Sequence, residues 1–270
     1  MTFGATFGRV ISPTFQPKSS GEDVAKFYCT TTGAATLTIA ALTVSAAVVV
    51  DWGDGSTNSY TGSGERTHAY SGAGTFTVKI SNPLNVIALT LSDNKVTLNS
   101  ADIKNMLNIT DAMFYTLKAG TFDSADIVDW RPATFYLYSM PAGYAGTFDS
   151  ADISAWRPTY FRLYSMPAGY AITITPSGFS GWITTTIMNI SDNALSQAQV
   201  DTILSDFWAG FATRTASGGT INVGGSNSAP SGILQAANPP TTGKEFAYEL
   251  KNDSQNINPT KKWATVTITA

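Results

Sequence analysis

Four aspartates in two matched pairs are the side chains whose types and spacing come closest to catalysis. Asp123 with Asp126, and Asp149 with Asp152, sit in T-F-D-S-A-D-I segments repeated at an offset of 26 residues. Two carboxylates about 5 Å apart are the arrangement of retaining glycoside hydrolysis, and paired carboxylates also attract calcium. A structural role competes, because D-S-A-D is a turn sequence in which Asp123 and Asp149 accept backbone N–H bonds. A catalytic pair is needed once, so the repetition favours the turn. Asp51 and Asp54 share another turn, but two carboxylates are fewer than calcium gathers, and no metal is expected. His68 and Cys29 are the only histidine and cysteine. No H-E-x-x-H, G-x-S-x-G, Cys/His cluster or phosphate-binding glycine loop is present. The expectation is a non-enzymatic chain without a cofactor.

What positions these residues is a repeat. AGTFDSADIVDWRPATFYLYSMPAGYAG starts at Ala119, and AGTFDSADISAWRPTYFRLYSMPAGYAI starts at Ala145. Asp123 and Asp149, Trp130 and Trp156, Leu137 and Leu163, Tyr144 and Tyr170 all share the same offset. A period in this range marks a solenoid, in which each unit buries its apolar face only against its neighbours. Trp130 and Trp156, each followed by Arg-Pro, are expected to pack on the convex side of their rungs.

Composition agrees with many short strands. The chain has 270 residues, 13% of them charged, and a net charge of −3. With no basic cluster, phosphate neutralisation has no footprint and nucleic acid is not an expected partner. The apolar stretch from Ala34 to Val50 is interrupted by Thr and Ser and reads as two strands, not a membrane span. Cys29, in KFYCTTT, reads as a small buried apolar residue. The first residues lack a basic region followed by an apolar run, which predicts no secretory signal.

Three segments follow. Residues 1–21 form an expected anchoring arm, in which Phe3, Phe7 and Phe15 are costly to leave in water and so dock on a partner. Residues 22–81 read as strands KFYCT, TLTIAAL, AVVVDW and TFTVKI. Residues 82–270 read as the solenoid, with a C-terminal cap from about 195. In that cap Ser196 is the N-cap of a helix that presents Val200, Ile203, Leu204, Phe207, Trp208 and Phe211 on one face. Thr220–Val223 and Trp263–Thr269 are further strands, and Pro239–Lys262 is a polar insertion.

Two resemblances sharpen this outline. Asp51-Trp52-Gly53-Asp54-Gly55, with His68-Ala69-Tyr70 and Gly74-Thr75-Phe76-Thr77-Val78, resembles the polycystic-kidney-disease (PKD) repeat. That likeness implies an immunoglobulin-like sandwich, with His68 packed or hydrogen-bonded inside it. Leu89–Val96 and Met188–Leu195 resemble the leucine-rich pattern L-x-L-x-x-N-x-L, with degenerate copies centred on Phe114, Leu137 and Leu163. The second apolar position recurs at 91, 114, 137, 163 and 190. Leu117, Met140 and Met166 replace the motif asparagine in the middle copies, so apolar packing must substitute for its hydrogen bonds. The pairing is similar to bacterial surface-antigen leucine-rich proteins, in which a WGDG module precedes the solenoid. The implied fold is mainly β: an N-terminal immunoglobulin-like sandwich, a short solenoid and a helix/strand cap.

The candidate site is the strand face. Alternation turns Tyr115, Tyr138 and Tyr164 outward as one stacked row, with Met113, Tyr136 and Arg162 beside it. Tyrosine and arginine are enriched at binding hot spots, tyrosine rings also suit sugars, and cross-strand stacking alone would stabilise the ladder. Extracellular-type modules without a secretion signal suit a bacteriophage fibre, tail tip or head decoration, with a bacterial cell surface as the other setting. The resemblance then implies fellow virion subunits as partners of the arm, and a host protein or glycan on the solenoid face. Identical chains as partners remain open, since no heptad repeat fixes a number.

Overall fold

A computed structural model describes residues 24–270. Phe3, Phe7 and Phe15 lie outside the described residues. The chain is mainly β, with a β-solenoid of about four turns.

The N-terminal strands are β1 (Val24–Thr31), β2 (Ala35–Asp51), β3 (Thr57–Tyr70) and β4 (Gly74–Ser81). β1 alternates as expected and buries Ala25, Phe27, Cys29 and Thr31. The two strands expected across Ala34–Val50 are one 17-residue strand, β2. No glycine or proline breaks it, and register shifts between Ile39 and Leu42 and between Val44 and Val48 absorb the irregularity. The bulges let β2 serve two neighbours. Its first half pairs antiparallel with β5 (Val86–Leu91), while Val50 and Asp51 pair with β4. β1 likewise pairs with β6 (Val96–Asn99). The four strands therefore belong to one 13-stranded sheet that runs on into the solenoid, and no separate immunoglobulin-like sandwich is shown over residues 22–81.

In the solenoid, β5 is followed across a parallel ladder by β7 (Asp111–Tyr115), β9 (Thr134–Tyr138), β11 (Tyr160–Tyr164), β13 (Ile187–Asn189), β14 (Thr220–Asn222) and β15 (Thr265–Thr267). Leu91, Phe114, Leu137 and Leu163 stand in register, as the spacing predicts. The opposite side carries β6, β8 (Ala119–Thr121), β10 (Thr147–Asp149) and β12 (Ala171–Thr173). Between the two sides runs a spine of rings. Phe122–Phe135, Phe135–Phe161, Phe161–Phe179 and Phe179–Phe207 have centroids 5.9, 5.7, 6.5 and 6.0 Å apart. Trp130 and Trp156 are wholly buried, Trp156 lying edge-on to Phe135 at 5.1 Å. They pack the interior.

The asparagine ladder forms only at the C-terminal end. Asn193 Nδ2 donates to the carbonyls of Leu163 and Ile190, and Asn227 Nδ2 donates to those of Ile190 and Val223. Asn94 is exposed; in that turn Asp93 accepts the Lys95 and Thr38 N–H groups. Leu117 and Met140 are buried and Met166 packs partly against the core, so apolar contact substitutes in the middle rungs.

The cap holds two helices. α1 (Gln197–Ala209) starts at Ser196, which forms a reciprocal capping box with Gln199. Val200, Ile203, Leu204, Phe207 and Phe211 are buried, and Trp208 stacks on Phe211 at 5.4 Å. The expected polar insertion contains α2 (Gly243–Asn252). Its inward face includes Glu245 and Glu249, which disguise the apolar stripe. Glu249 is buried and accepts from the Ala237 and Ser254 N–H groups and the Ser254 hydroxyl.

Candidate functional site

Each central rung builds its part of the face in the same way. Inward residues Ala112/Phe114, Phe135/Leu137 and Phe161/Leu163 are buried, so the intervening side chains point outward. Thr116, Ser139 and Ser165 follow the strands with φ of 51°, 54° and 52°. This left-handed residue ends the strand directly after its tyrosine. It also keeps the ladder in register, because Ser139 N–H donates to Tyr164 O at 3.2 Å and Ser165 N–H to Ser191 O at 3.3 Å.

The register aligns Tyr115 with Tyr138 and Tyr138 with Tyr164. Their rings stack at 4.9 Å and 4.5 Å, with planes 4° and 9° apart. The neighbouring row aligns Thr90, Met113, Tyr136, Arg162, Asn189 and Asn222. Within it the Arg162 guanidinium lies 4.7 Å from the Tyr136 ring centroid, and Tyr136 reaches Tyr138 at 6.2 Å. All six predicted residues thus lie on one surface, each half-buried. Burial first, then the phenols of Tyr164 and Tyr115, push the Tyr138 hydroxyl above its ordinary pKa.

One member of the face was missed. Tyr160 lies in the outermost row beside Thr134 and is exposed. The same alternation that places Arg162 outward places Tyr160 outward two residues earlier. Its counterpart one rung back is a threonine, so it belongs to no aromatic row and the repeat did not reveal it.

Stacking decides what the rings can offer. Tyr138 has Tyr115 on one face and Tyr164 on the other, and Tyr136 carries Arg162 on one of its faces. A sugar docks by laying its C–H face on an open ring. The centre of this surface presents ring edges, hydroxyls and a guanidinium, which suit polar and apolar contacts with a protein, while the end rings Tyr115 and Tyr164 each have a stacking ring on one face only.

The repeated carboxylates are engaged between rungs. Ser100 Oγ donates to Asp126 at 2.6 Å and accepts from Asp123 N–H at 2.9 Å. One rung on, Ser124 Oγ donates to Asp152 at 2.6 Å and accepts from Asp149 N–H at 2.8 Å. Asp123 accepts from Thr147 N–H, and Asp149 from Ala151 N–H and the Thr175 hydroxyl. These bonds give the D-S-A-D repeat the structural role that its recurrence suggests. Among the described residues no group of three or more His, Cys, Asp or Glu side chains gathers as a metal ion requires. Cys29 is buried, and desolvation raises its thiol pKa to about 11, far from a reactive thiolate. Among the described residues no helix is long and apolar enough to cross a membrane.

The WGDG turn is likewise self-contained. Gly53 and Gly55 take φ of 81° and 92°, and the Tyr70 hydroxyl donates to Trp52 O at 2.9 Å. His68 stacks on Trp52 at 4.8 Å and meets Asp54 at 2.7 Å. The Ser56 hydroxyl first, then His68, hold the Asp54 carboxyl down at about 2. A depressed folded pKa stabilises above the unfolded value of about 3.9, and that contribution is lost as pH falls toward 2. Asp54→Asn should therefore flatten the acid-induced loss of stability between those two values, read from urea midpoints at stepped pH. An unchanged acid profile would show that this clamp does not contribute.

No family model matches the chain, and no curated protein or solved structure shows significant similarity to it.

Proposed function

We propose that this chain is a non-enzymatic recognition protein that docks a protein partner through the strand face centred on Tyr138. One observation carries the reading: Tyr115, Tyr138 and Tyr164 form a continuous stack flanked by Tyr136 and Arg162 on a parallel sheet. Small polar residues border this aromatic centre on its C-terminal side, where Asn189 and Asn222 continue the row of Arg162; on the other side the row ends at the buried Thr90. An aromatic and arginine centre bordered by polar residues is the composition of an energetic hot spot. The repeat fixes all these side chains on strands, so little ordering entropy is lost on contact.

The proposed setting is the outside of a bacteriophage particle or bacterial cell, and the PKD-like reading of residues 22–81 belongs to the same proposal. It is supported by the contacts joining the two halves of that motif, Asp54 to His68 and Tyr70 to Trp52.

The test places a photo-cross-linking residue at Met113 on the strand face and, separately, at Ser154 on the far side of a rung. Both are read on intact particles or cells of the producing organism. The expected result is one protein adduct from position 113, none from 154, and loss of the adduct when Tyr138→Ser and Tyr164→Ser are added. The double variant should lose about 1–2 kcal/mol of stability from two aromatic pairs and still fold. Adducts of equal yield from both sides, or an adduct indifferent to the tyrosines, would leave the stack a stabilising ladder only.

A further inference from the structure

Arg162 stands at the centre of the face, and among the described residues no carboxylate pairs with it. Along the three outward rows the formally charged side chains are Asp111 and Arg162. Two strand spacings and two residues along the strand, about 12 Å, separate them, and Asp111 accepts the Thr110 hydroxyl at 2.7 Å. Among the described residues the Arg162 side chain has no hydrogen bond or ion pair; it lies over the Tyr136 ring at 4.7 Å and near enough to Tyr138 to act on its hydroxyl. The ring supports the guanidinium from one side, and among the described residues its N–H donors are unclaimed. Half-buried among phenols, the group is less hydrated than a surface arginine, and charge-assisted bonds to it are correspondingly stronger.

We infer that the docked segment presents an aspartate or glutamate side chain to Arg162, which takes it in a bidentate pair over the Tyr136 ring. This rests on the reading of the face as a protein-docking surface and adds the chemistry of what docks there. Charge complementarity calls for an anion at this one point. Tyr138, with rings on both of its faces, offers an edge and a hydroxyl beside Arg162, which favours an acidic peptide segment; an acidic glycan is the competing occupant that the test separates. With Arg162 as the one cation along these rows and Asp111 an anion among them, the face would reject a polyanion, which needs several cations in a row. A single acidic residue within a largely uncharged segment is the matching partner.

The experiment pans a random peptide library against the immobilised full chain, in wild-type, Arg162→Gln and Tyr138→Ser forms. Wild type should select sequences with one Asp or Glu among uncharged residues. Arg162→Gln should weaken the selected peptides about tenfold or more, the worth of one charge-assisted pair, with an unchanged melting temperature. Arg162→Lys, which keeps the charge but loses the fork, should fall between them. Peptides that depend on Tyr138 but show no acidic preference, or keep it in Arg162→Gln, overturn the inference and leave the docking surface standing. Absence of any Tyr138-dependent peptide removes both. An oligoglucuronate that displaces the peptide at equal carboxylate concentration overturns the choice of a peptide occupant.

Discussion

Gly146→Ala unfolds the middle of the solenoid, at an expected cost of about 4 kcal/mol. Two independent penalties add at this position. Its φ of 127° disfavours any side chain, and a Cβ there would lie 2.2 Å from Phe122 O and 2.8 Å from Phe122 N. Those are backbone atoms of the preceding rung, and they cannot rotate away. The ladder around them is hydrogen-bonded on both sides, with Phe122 N–H donating to Ala145 O and Ala145 N–H to Gly120 O. Relief would therefore require two rungs to separate. Gly120 holds the same place in the previous copy, where an added Cβ would run into Leu98 O, and Gly120→Ala should behave alike.

The comparison that makes the result decisive is Gly143→Ala. Gly143 also has a positive φ, 90°, but a Cβ there meets nothing within 4 Å. Its cost is conformational alone, about 1 kcal/mol. Urea unfolding followed by circular dichroism ranks the two variants. Hydrogen exchange should localise the lost protection to strands β8, β10 and β12. Equal midpoints for Gly143→Ala and Gly146→Ala would mean that successive rungs do not approach as closely as this.

The tyrosine face was legible in the sequence because two periodicities fall together there. Within each copy, alternation separates Phe135 and Leu137 from Tyr136 and Tyr138; between copies, the 26-residue offset places Tyr164 over Tyr138. Neither depends on distant contacts, so local reasoning suffices. Ser196 and the face of α1 were legible for the same reason, since cap and stripe are both local.

What escaped notice depends on partners remote in sequence. β3 reads T-N-S-Y-T-G-S-G-E-R, and only pairing along β2 makes it a strand. The division of β2 between β4 and β5 is a tertiary choice, invisible in an apolar run without breakers. α2 hides its amphipathic face because Glu245 and Glu249 turn inward to tie down loops from Gln235 to Ser254. Asn227 was missed because Gly224-Gly225-Ser226 around it reads as a turn, while its side chain closes the ladder begun by Asn193. Charged or polar residues with a full set of buried bonds look like surface when only the sequence is in view.

Arg214 is the sharpest case, and its removal should detach the cap. The side chain is 4% exposed, and its guanidinium lies 3.8 Å from the Trp263 ring centroid. It donates to Thr185 O at 3.0 Å, Gly218 O at 2.8 Å and Ala216 O at 2.6 Å, and also to Lys261 O. Burial pushes its pKa down to about 10, so it is still charged at neutral pH. One planar group thus ties the turn after Trp182, the entry to β14 and the approach to β15 at a single point. Arg214→Ala leaves these carbonyls without their donor, for an expected loss of about 3–5 kcal/mol. Arg214→Lys should recover little, because an ammonium cannot span the same set of acceptors. Because rungs are stabilised mainly by their neighbours, the loss should stay at the C-terminal end. Hydrogen exchange should rise across β14, β15 and α2 while β7, β9 and β11 stay protected. The uncovered last rung, lined by Met188 and Ile190, should then make the variant associate as its concentration increases. Wild-type melting and exchange in Arg214→Ala would show that the cap is held instead by Trp263 and the α1–α2 contact alone.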